Sequence, residues 1–150
     1  MQGSYLRFAA MIVTSTVAML GLMYLNTYEF GHVFWSETRT YMAIYMGAFM
    51  AIIMLAFMLA MYPNRAANIG IFAGSVVIFA IALFFVRSQE TVQDVSYMKA
   101  MIPHHSIAIL TSRRAEISDP RVRELADGII EAQLREIEEM KALIADLENR

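Results

Sequence analysis

The chain contains no cysteine, which excludes disulfide bonds, thiolate metal sites and nucleophilic thiols. Histidine is scarce, with three residues, and the net charge of −2 argues against a nucleic-acid partner. Charge is almost missing from residues 1–86, where only five charged side chains occur among the chain's 12 basic and 14 acidic residues. This uneven distribution predicts a membrane-embedded front region followed by a water-exposed region.

Three apolar runs predict transmembrane helices, because a helix needs about 20 mostly apolar residues to cross a bilayer. The runs cover about residues 5–28, 40–62 and 67–87. Pro63 ends the second run, so the second and third spans should form a tight hairpin. The predicted organisation is a three-span region over residues 1–88 and an extramembrane helical hairpin over residues 89–150. No glycine or proline occurs between Gly74 and Pro103, so the third span is expected to continue unbroken out of the membrane.

The orientation of these spans follows from their flanking charges. Arg7 and Arg65 lie on one predicted side of the bilayer, with no acidic residue near them. The other side carries Glu29, Glu37, Arg39 and the acidic C-terminal region. Basic residues favour the cytoplasmic side. We therefore expect an integral protein of a bacterial inner membrane, with a cytoplasmic N-terminus and a periplasmic C-terminal hairpin.

Methionine is abundant, with 13 residues, and five methionines recur every four positions in the second span. These residues are Met42, Met46, Met50, Met54 and Met58. They form a slowly winding ridge on a helix. Thioethers are ligands for Cu(I) or Ag(I), so a metal track is one interpretation. Helix packing is the favoured interpretation, because methionine is a flexible apolar filler.

The charged C-terminal region predicts two helices, at about residues 90–116 and 120–148, which makes the fold all-α. Asp119 is a suitable N-cap and Pro120 a suitable first helical residue. Each helix has a heptad seam. The first seam comprises Asp94, Met98, Met101, His105, Ala108 and Ser112. The second comprises Ala126, Ile130, Gln133, Ile137, Met140, Ile144 and Leu147.

Folding this hairpin about residue 118 pairs positions whose numbers sum to about 236. His105 is then expected opposite Ile130 and Gln133, with the apolar Ile102 and Ile109 beside the seam. The paired seams gather a band of soft and polar groups: Met98, Met101, His104, His105, Gln133, Glu136 and Met140. Imidazole and thioether groups suit Cu(I) or Ag(I), and histidine with carboxylate also allows Cu(II) or zinc. The alternative is a core histidine among packing methionines.

Adjacent histidines point about 100° apart on a regular helix, so His104 and His105 do not readily share one ion. Pro103 removes a backbone hydrogen bond just before them. It either kinks the helix and aims both rings together, or starts a new helix. Otherwise His104 faces a second chain.

The segments "DVSYMKAMIPHHSIAIL" and "DPRVRELADGIIEAQLREIEEM" resemble the DUF305 family, a domain of unknown function. The resemblance covers about residues 90–148. Its hallmarks are an acid, an aromatic-Met-x-x-Met-Ile stretch, a His-His pair followed by an alanine, and Gln-x-x-Glu-Ile-x-x-Met. Here they fall on Asp94, Tyr97, Met98, Met101, Ile102, His104, His105, Ala108, Gln133, Glu136, Ile137 and Met140. The front end resembles a membrane-anchored, three-span subgroup.

The resemblance implies a ferritin-like helical bundle, and some members of the family are periplasmic copper- or silver-binding proteins. The Glu-x-x-His motifs of di-iron enzymes are absent, because Met101 and Ile102 stand three residues before the histidines. We therefore do not expect an enzyme. Since a hairpin is half of a four-helix bundle, two chains would complete it, as a homodimer or a higher even homo-oligomer.

These observations lead to one principal expectation and one alternative. The principal expectation is a membrane-anchored protein that binds copper, as Cu(I), for copper homeostasis or tolerance, with metal ion and lipid bilayer as partners. Its predicted ligands are Asp94, Met98, Met101, His104, His105, Gln133, Glu136 and Met140. The alternative is a metal-free structural or assembly module that dimerises through the hairpin. A third hypothesis is a membrane redox or haem protein, but a bilayer-embedded bis-histidine haem needs histidines within the predicted spans, where none occurs, and His32 in the outer connection is at most an accessory ligand.

Overall fold

The computed structural model describes residues 4–149. In that range the protein is all-α, with five helices and no strand. The helices are α1 (Tyr5–Leu22), α2 (Glu37–Met58), α3 (Arg65–Ser88), α4 (Asp94–Arg114) and α5 (Pro120–Glu148). Single 3-10 turns occur at Phe30–His32 and at Leu59–Met61, where the latter extends α2. The all-α prediction is confirmed.

Three of these helices are long and apolar enough to cross a membrane, as the sequence predicted. They are Tyr5–Leu22, Glu37–Met61 and Arg65–Ser88. The first is shorter than predicted, since residues 24–28 are not helical. Thr27 hydrogen-bonds through its backbone N–H and its hydroxyl to the Tyr24 carbonyl. Such local bonds make Asn–Thr stretches favour turns over helix.

The expected unbroken passage from the third span into the hairpin is wrong. Helix α3 ends at Ser88, and Gln89 adopts φ 56°, the one positive φ of a non-glycine residue in the described chain. The Gln89 side chain donates to the Val86 carbonyl at 2.8 Å, and its backbone N–H donates to the Phe85 carbonyl. These bonds satisfy orphan carbonyls of the last turn, a role usually given to glycine at this position.

The chain divides into two compact units. The first unit is the chain up to Met23 together with Thr38–Thr91, and the second is Tyr24–Glu37 together with the chain from Val92 onward. Residues 24–37, the connector between α1 and α2, therefore group with the hairpin. The predicted division at residue 88 did not anticipate this grouping, because the connector was assigned to the three-span region.

The first unit has a core formed by all three front helices. Phe8 of α1 packs with the fully buried Leu55 of α2, and Phe72 of α3 packs against this cluster. Gly47 of α2 lies so close to α1 that an added Cβ would come within 2.1 Å of the Thr16 hydroxyl. Any larger residue at position 47 would require the Thr16 side chain to shift, so glycine allows this close approach of α1 and α2.

The methionines of the α2 ridge have different neighbours along the helix: some line a groove and others pack against the core. Met46, Met50 and Met54 line an apolar groove together with Tyr45, Phe49, Ile53 and Phe79. Met54 and Met58 also pack against the core of the first unit. Both placements are consistent with a packing role, and the metal-track interpretation stays untested.

The second unit has a core between α4 and α5. Its buried members are Met98, Ile102, Ile109, Ile137 and Ile144, with Tyr28 and Phe34 of the connector packed against them. Asp119 caps α5 as predicted, since its side chain accepts a hydrogen bond from the Arg121 N–H. Helix α4 runs continuously through Pro103, so the alternative of a new helix at Pro103 is wrong.

The predicted seam of α4 requires correction. Ile102 and Ile109, expected beside the seam, are fully buried, whereas Asp94 is exposed. The face of α4 that packs is thus rotated from the predicted heptad face. Apolar burial decides this rotation, because isoleucine gains more from leaving water than a polar seam does. On α5 the prediction largely holds, with Ala126, Ile137 and Ile144 buried.

Candidate metal-binding site

The centre of the candidate site is a contact between the two helices of the hairpin. His105 of α4 places Nε2 at 2.7 Å from Oε2 of Glu136 on α5. Its other ring nitrogen, Nδ1, lies 3.0 Å from the Met101 carbonyl oxygen. The His105 side chain is 16% exposed and the Glu136 side chain 45% exposed, so the pair lies at the edge of the core.

The hydrogen-bond partners fix the tautomer of this ring. A carbonyl oxygen can only accept, so Nδ1 carries a proton and donates it to Met101. Nε2 then faces a carboxylate oxygen, which accepts hydrogen bonds when ionised. Two acceptor atoms at 2.7 Å share a proton, so the contact in this structure is a hydrogen bond, and a metal ion would replace that proton only at a wider separation. Histidines that ligate a metal commonly have the same arrangement, with the remote N–H donated to a backbone carbonyl.

Glu136 is farther along α5 than the expected partners of His105, Ile130 and Gln133. The difference follows from the direction of side chains on a helix, which lean toward the N-terminus. The His105 ring reaches back to the Met101 carbonyl. The position opposite residue 101 under the predicted pairing is residue 135, next to Glu136. The observed partner, Glu136, thus lies five residues along α5 from residue 131, the position that the predicted pairing puts opposite residue 105.

Two of the predicted ligands lie in the apolar core. Met98 is 7% exposed and belongs to the buried cluster, and Met140 packs against the same cluster. Both thioethers contact isoleucine-rich surroundings, which is the packing role that methionine fills in many cores. Neither Met98 nor Met140 is among the hydrogen-bond partners of His105 and Glu136 in the described chain.

The remaining predicted ligands have varied positions around the pair. Met101 precedes His105 by four residues, so both side chains project from the same side of α4. His104 is exposed, and its ring centroid lies 6.4 Å from that of His105. Gln133 lies on a shallow groove of α5 that Leu125 and Gly128 also line. Asp94 is the exposed first residue of α4, about three helical turns from His105.

These residues fit a metal ion only in part. Over residues 4–149, no three histidine, aspartate, glutamate or cysteine side chains converge as a metal site. His105 and Glu136 supply two donors of suitable type. Two such donors at about 2.0–2.1 Å from a tetrahedral ion would be separated by about 3.3 Å. Metal binding thus needs a slight opening of the 2.7 Å contact and further ligands.

A second histidine site, which the sequence did not predict, lies between the connector and α4. His32 is 3% exposed, and its Nδ1 lies 2.9 Å from the hydroxyl of Ser106. The Tyr28 backbone N–H donates to the same hydroxyl at 2.7 Å. Arg113 donates to the Tyr28 hydroxyl at 2.7 Å and stacks over its ring. These bonds fasten the connector to α4.

The environment of His32 disfavours its charged form. Burial lowers the pKa of His32 from 6.5, and the nearby positive charge of Lys141 lowers it further, against the opposing effects of Glu29 and Glu138. The neutral ring can accept the Ser106 O–H at Nδ1, while Nε2 faces Glu29 at 3.9 Å. Ser106 is fully buried, so this group has no access to a substrate. Its role in the fold is to anchor the connector.

Comparison with known proteins shows that the hairpin segment is similar to one protein family. Residues 87–149 match the family described as "Domain of unknown function (DUF305)". The hairpin is therefore similar to that family, as its His-His and Gln-x-x-Glu patterns predicted. The match begins at the end of α3 and covers α4 and α5.

One relative is similar over about half of each chain. It is "Uncharacterized protein L153" of Acanthamoeba polyphaga mimivirus, 38% identical over 72 residues, which are 47% of this chain and 47% of that protein. The chain thus spans about half the length of this curated relative. No solved structure matches the chain.

Proposed function

We propose that the protein is a membrane-anchored, non-catalytic metal-binding protein that serves copper homeostasis or tolerance. The observation that carries the proposal is the facing pair of His105 Nε2 and Glu136 Oε2 at 2.7 Å. With Nδ1–H donated to the Met101 carbonyl, Nε2 is the ring nitrogen that could bind a metal once its contact with Glu136 opens. The two helices therefore present one nitrogen and one oxygen donor toward a common point.

Copper as Cu(I) is the proposed ion, because Met101 provides a thioether on the same side of α4 as His105. Ag(I) shares this ligand preference. The carboxylate of Glu136 also suits Cu(II) or zinc, so these ions are the alternatives. The His104 ring centroid lies 6.4 Å from that of His105, and within the described chain His104 does not join the pair as a third ligand.

The proposed location is a bacterial inner membrane, with the N-terminus in the cytoplasm and the hairpin in the periplasm. Arg7 and Arg65 lie at the ends of α1 and α3 that share one side of the predicted topology. Glu29 and Glu37 lie in the connection on the other side. The positive-inside rule supports this orientation. A periplasmic hairpin would meet metal ions before they reach the cytoplasm.

The test is a titration of the full-length protein in detergent with Cu(I) and Ag(I). Removing an imidazole ligand, in His105→Ala, should lower the affinity at least tenfold. Glu136→Gln keeps the shape of the side chain but removes its charge, and should lower affinity in the same direction. Glu138→Gln is the matched control, because Glu138 lies on the same helix and pairs with Lys141 instead. Equal affinities for His105→Ala and the wild type would contradict the proposal.

A second candidate function is a metal-free assembly module, which the burial of Met98 in the apolar core and the packing of Met140 against that core favour. In that case His105 and Glu136 would form a charge-assisted hydrogen bond that fixes the register of the hairpin. Elemental analysis of protein purified from copper-supplemented cells separates the two candidates. Stoichiometric copper that is lost in His105→Ala supports metal binding, whereas copper-free protein supports the assembly module.

A further inference from the structure

The hairpin has one covered face and one open face. The connector packs on the covered face through Tyr28 and Phe34. The Tyr28 N–H donates to Ser106, so Ser106 of α4 lies on this face. Lys141 and Glu138 of α5 lie near His32 on this covered face. Glu136 precedes Glu138 by two residues, which is about 200° around α5, so the His105–Glu136 pair lies on the opposite face.

Apolar side chains continue from the core onto the open face of α5. Val122, Leu125, Ile129 and Leu143 are 48%, 64%, 36% and 46% exposed. Leu125 and Leu143 are 18 residues apart, which is five complete helical turns, so they share one line along the helix. Glu136 follows Leu125 by 11 residues, about three turns, and lies close to that line. The metal candidate therefore lies within an apolar stripe.

The positions along this stripe are self-complementary. The midpoint of α5, which spans Pro120–Glu148, is residue 134, and Leu125 and Leu143 lie nine residues to either side. An antiparallel α5 from a second copy, centred on the same point, would place Leu143 of the second copy opposite Leu125. Arg121 would lie near Asp146 of the second copy, with opposite charges. A two-fold pairing of this kind uses the same patch on both subunits.

The same symmetry brings the candidate ligands to one level. Helix α4 spans Asp94–Arg114, so its midpoint is His104. Glu136 and His105 each lie within two residues of a helix midpoint. When two hairpins overlap along their full length, the histidines and glutamates of both copies therefore lie at the same level along the helix axes. Within one chain, the described residues provide no third histidine or carboxylate for the pair.

We propose that the open face binds a second copy of this chain, and that His104 or Met101 of the second copy completes the metal site begun by His105 and Glu136. The inference rests on the proposed function for its metal, whereas the docking of the second copy rests on the apolar stripe. Pairing of two copies has two favourable consequences. The exposed leucines leave water, and the two-donor site acquires the further ligands that a tetrahedral ion needs.

The experiment uses the full-length protein in detergent, with Leu125→Glu as the interface variant. Mass is measured by light scattering corrected for detergent, and Ag(I) affinity and stoichiometry are measured by titration. The matched control is Ala145→Glu, which adds the same charge at an exposed position about 200° around α5 from residue 125. Neither residue is a candidate ligand.

We expect the wild type and Ala145→Glu to be dimeric or of higher even order, with the ion shared between chains. Leu125→Glu should be monomeric and should bind Ag(I) at least tenfold more weakly, although it keeps every ligand. A monomeric wild type, or a dimeric Leu125→Glu, would overturn the docking of the second copy. A monomeric Leu125→Glu with wild-type affinity would overturn the shared site while leaving the proposed function intact. A dimer that binds no ion and dissociates in Leu125→Glu would overturn the shared site and the proposed function but not the docking.

Discussion

The covered and open faces of the hairpin each hold a histidine, yet the two rings have different chemical settings. His32 is almost fully buried and bonds to a neutral serine hydroxyl. His105 lies at the core edge and faces a carboxylate. Burial lowers the pKa of His32, which favours an uncharged ring that holds structure, whereas the carboxylate beside His105 supplies a second donor atom for a metal ion. The type of residue alone therefore does not reveal which histidine binds a ligand.

The largest expected effect comes from a substitution in the core between α4 and α5, because loss of that core would disrupt both faces of the hairpin. Ile137 is 1% exposed and packs in the cluster between α4 and α5. Ile137→Ala should destabilise the hairpin by about 2–5 kcal/mol, since it removes buried methylenes and leaves a cavity. Hydrogen exchange of the α4 and α5 amides in the full-length protein measures the loss.

Ile137→Val provides a graded control for this substitution. It removes one methylene and should cost about 0.5–1.5 kcal/mol, so exchange should accelerate less than in Ile137→Ala. The same acceleration in both variants would show that the hairpin amides do not exchange through opening of this core.

A smaller effect separates the two faces. Ser106→Ala leaves the Tyr28 N–H and the His32 ring without their shared partner. A buried polar group without a partner costs about 1–3 kcal/mol. Connector amides should therefore exchange about tenfold faster or more, while the metal affinity of the open face stays within twofold of the wild type.

Ser112→Ala is the matched control for Ser106→Ala. Ser112 is half-buried on the same helix, and its backbone carbonyl, which the variant retains, accepts a hydrogen bond from Arg123. Exchange of the connector should not change in this variant. If Ser106→Ala also weakens metal binding severalfold, the two faces are coupled through α4 and the comparison between them fails.

Local patterns predicted much of the fold, because local forces decide those parts. The three apolar runs, the Asp119 cap and the Pro120 start depend on neighbouring residues alone. The break at Gln89 could not be predicted from composition, since a glutamine side chain there supplies the bonds that glycine geometry usually allows.

The candidate site could be predicted in part for the same reason. Helical periodicity brought His105 and Glu136 to one band of the hairpin, and the structure joins them. The connector site could not be found this way, because His32 and Ser106 are 74 residues apart and no repeat relates them. Its one sequence signal was the third histidine between two apolar runs. Contacts of this kind depend on tertiary packing, which outweighs local pattern.

The smallest expected effect is a pH dependence confined to the covered face. The pKa of His32 is lowered in the folded protein, by burial first and by Lys141 second, from 6.5. Because the unfolded or undocked ring binds a proton more readily, the docked connector is favoured above pH 6.5 and loses stability as the pH falls below it. Connector amides should exchange faster at pH 5.5 than at pH 7.5, after correction for intrinsic rates.

The variant His32→Gln isolates this pH effect, because glutamine retains hydrogen-bonding capacity but does not titrate. Its connector exchange should be faster than that of the wild type at pH 7.5 but nearly independent of pH once corrected. Helix α5 amides near Ile144, deep in the core, should show no corresponding change in either protein. A pH dependence that persists in His32→Gln would show that His32 is not the group that makes connector docking depend on pH. The covered histidine would then hold structure without sensing protons, and proton sensitivity would no longer distinguish the two faces.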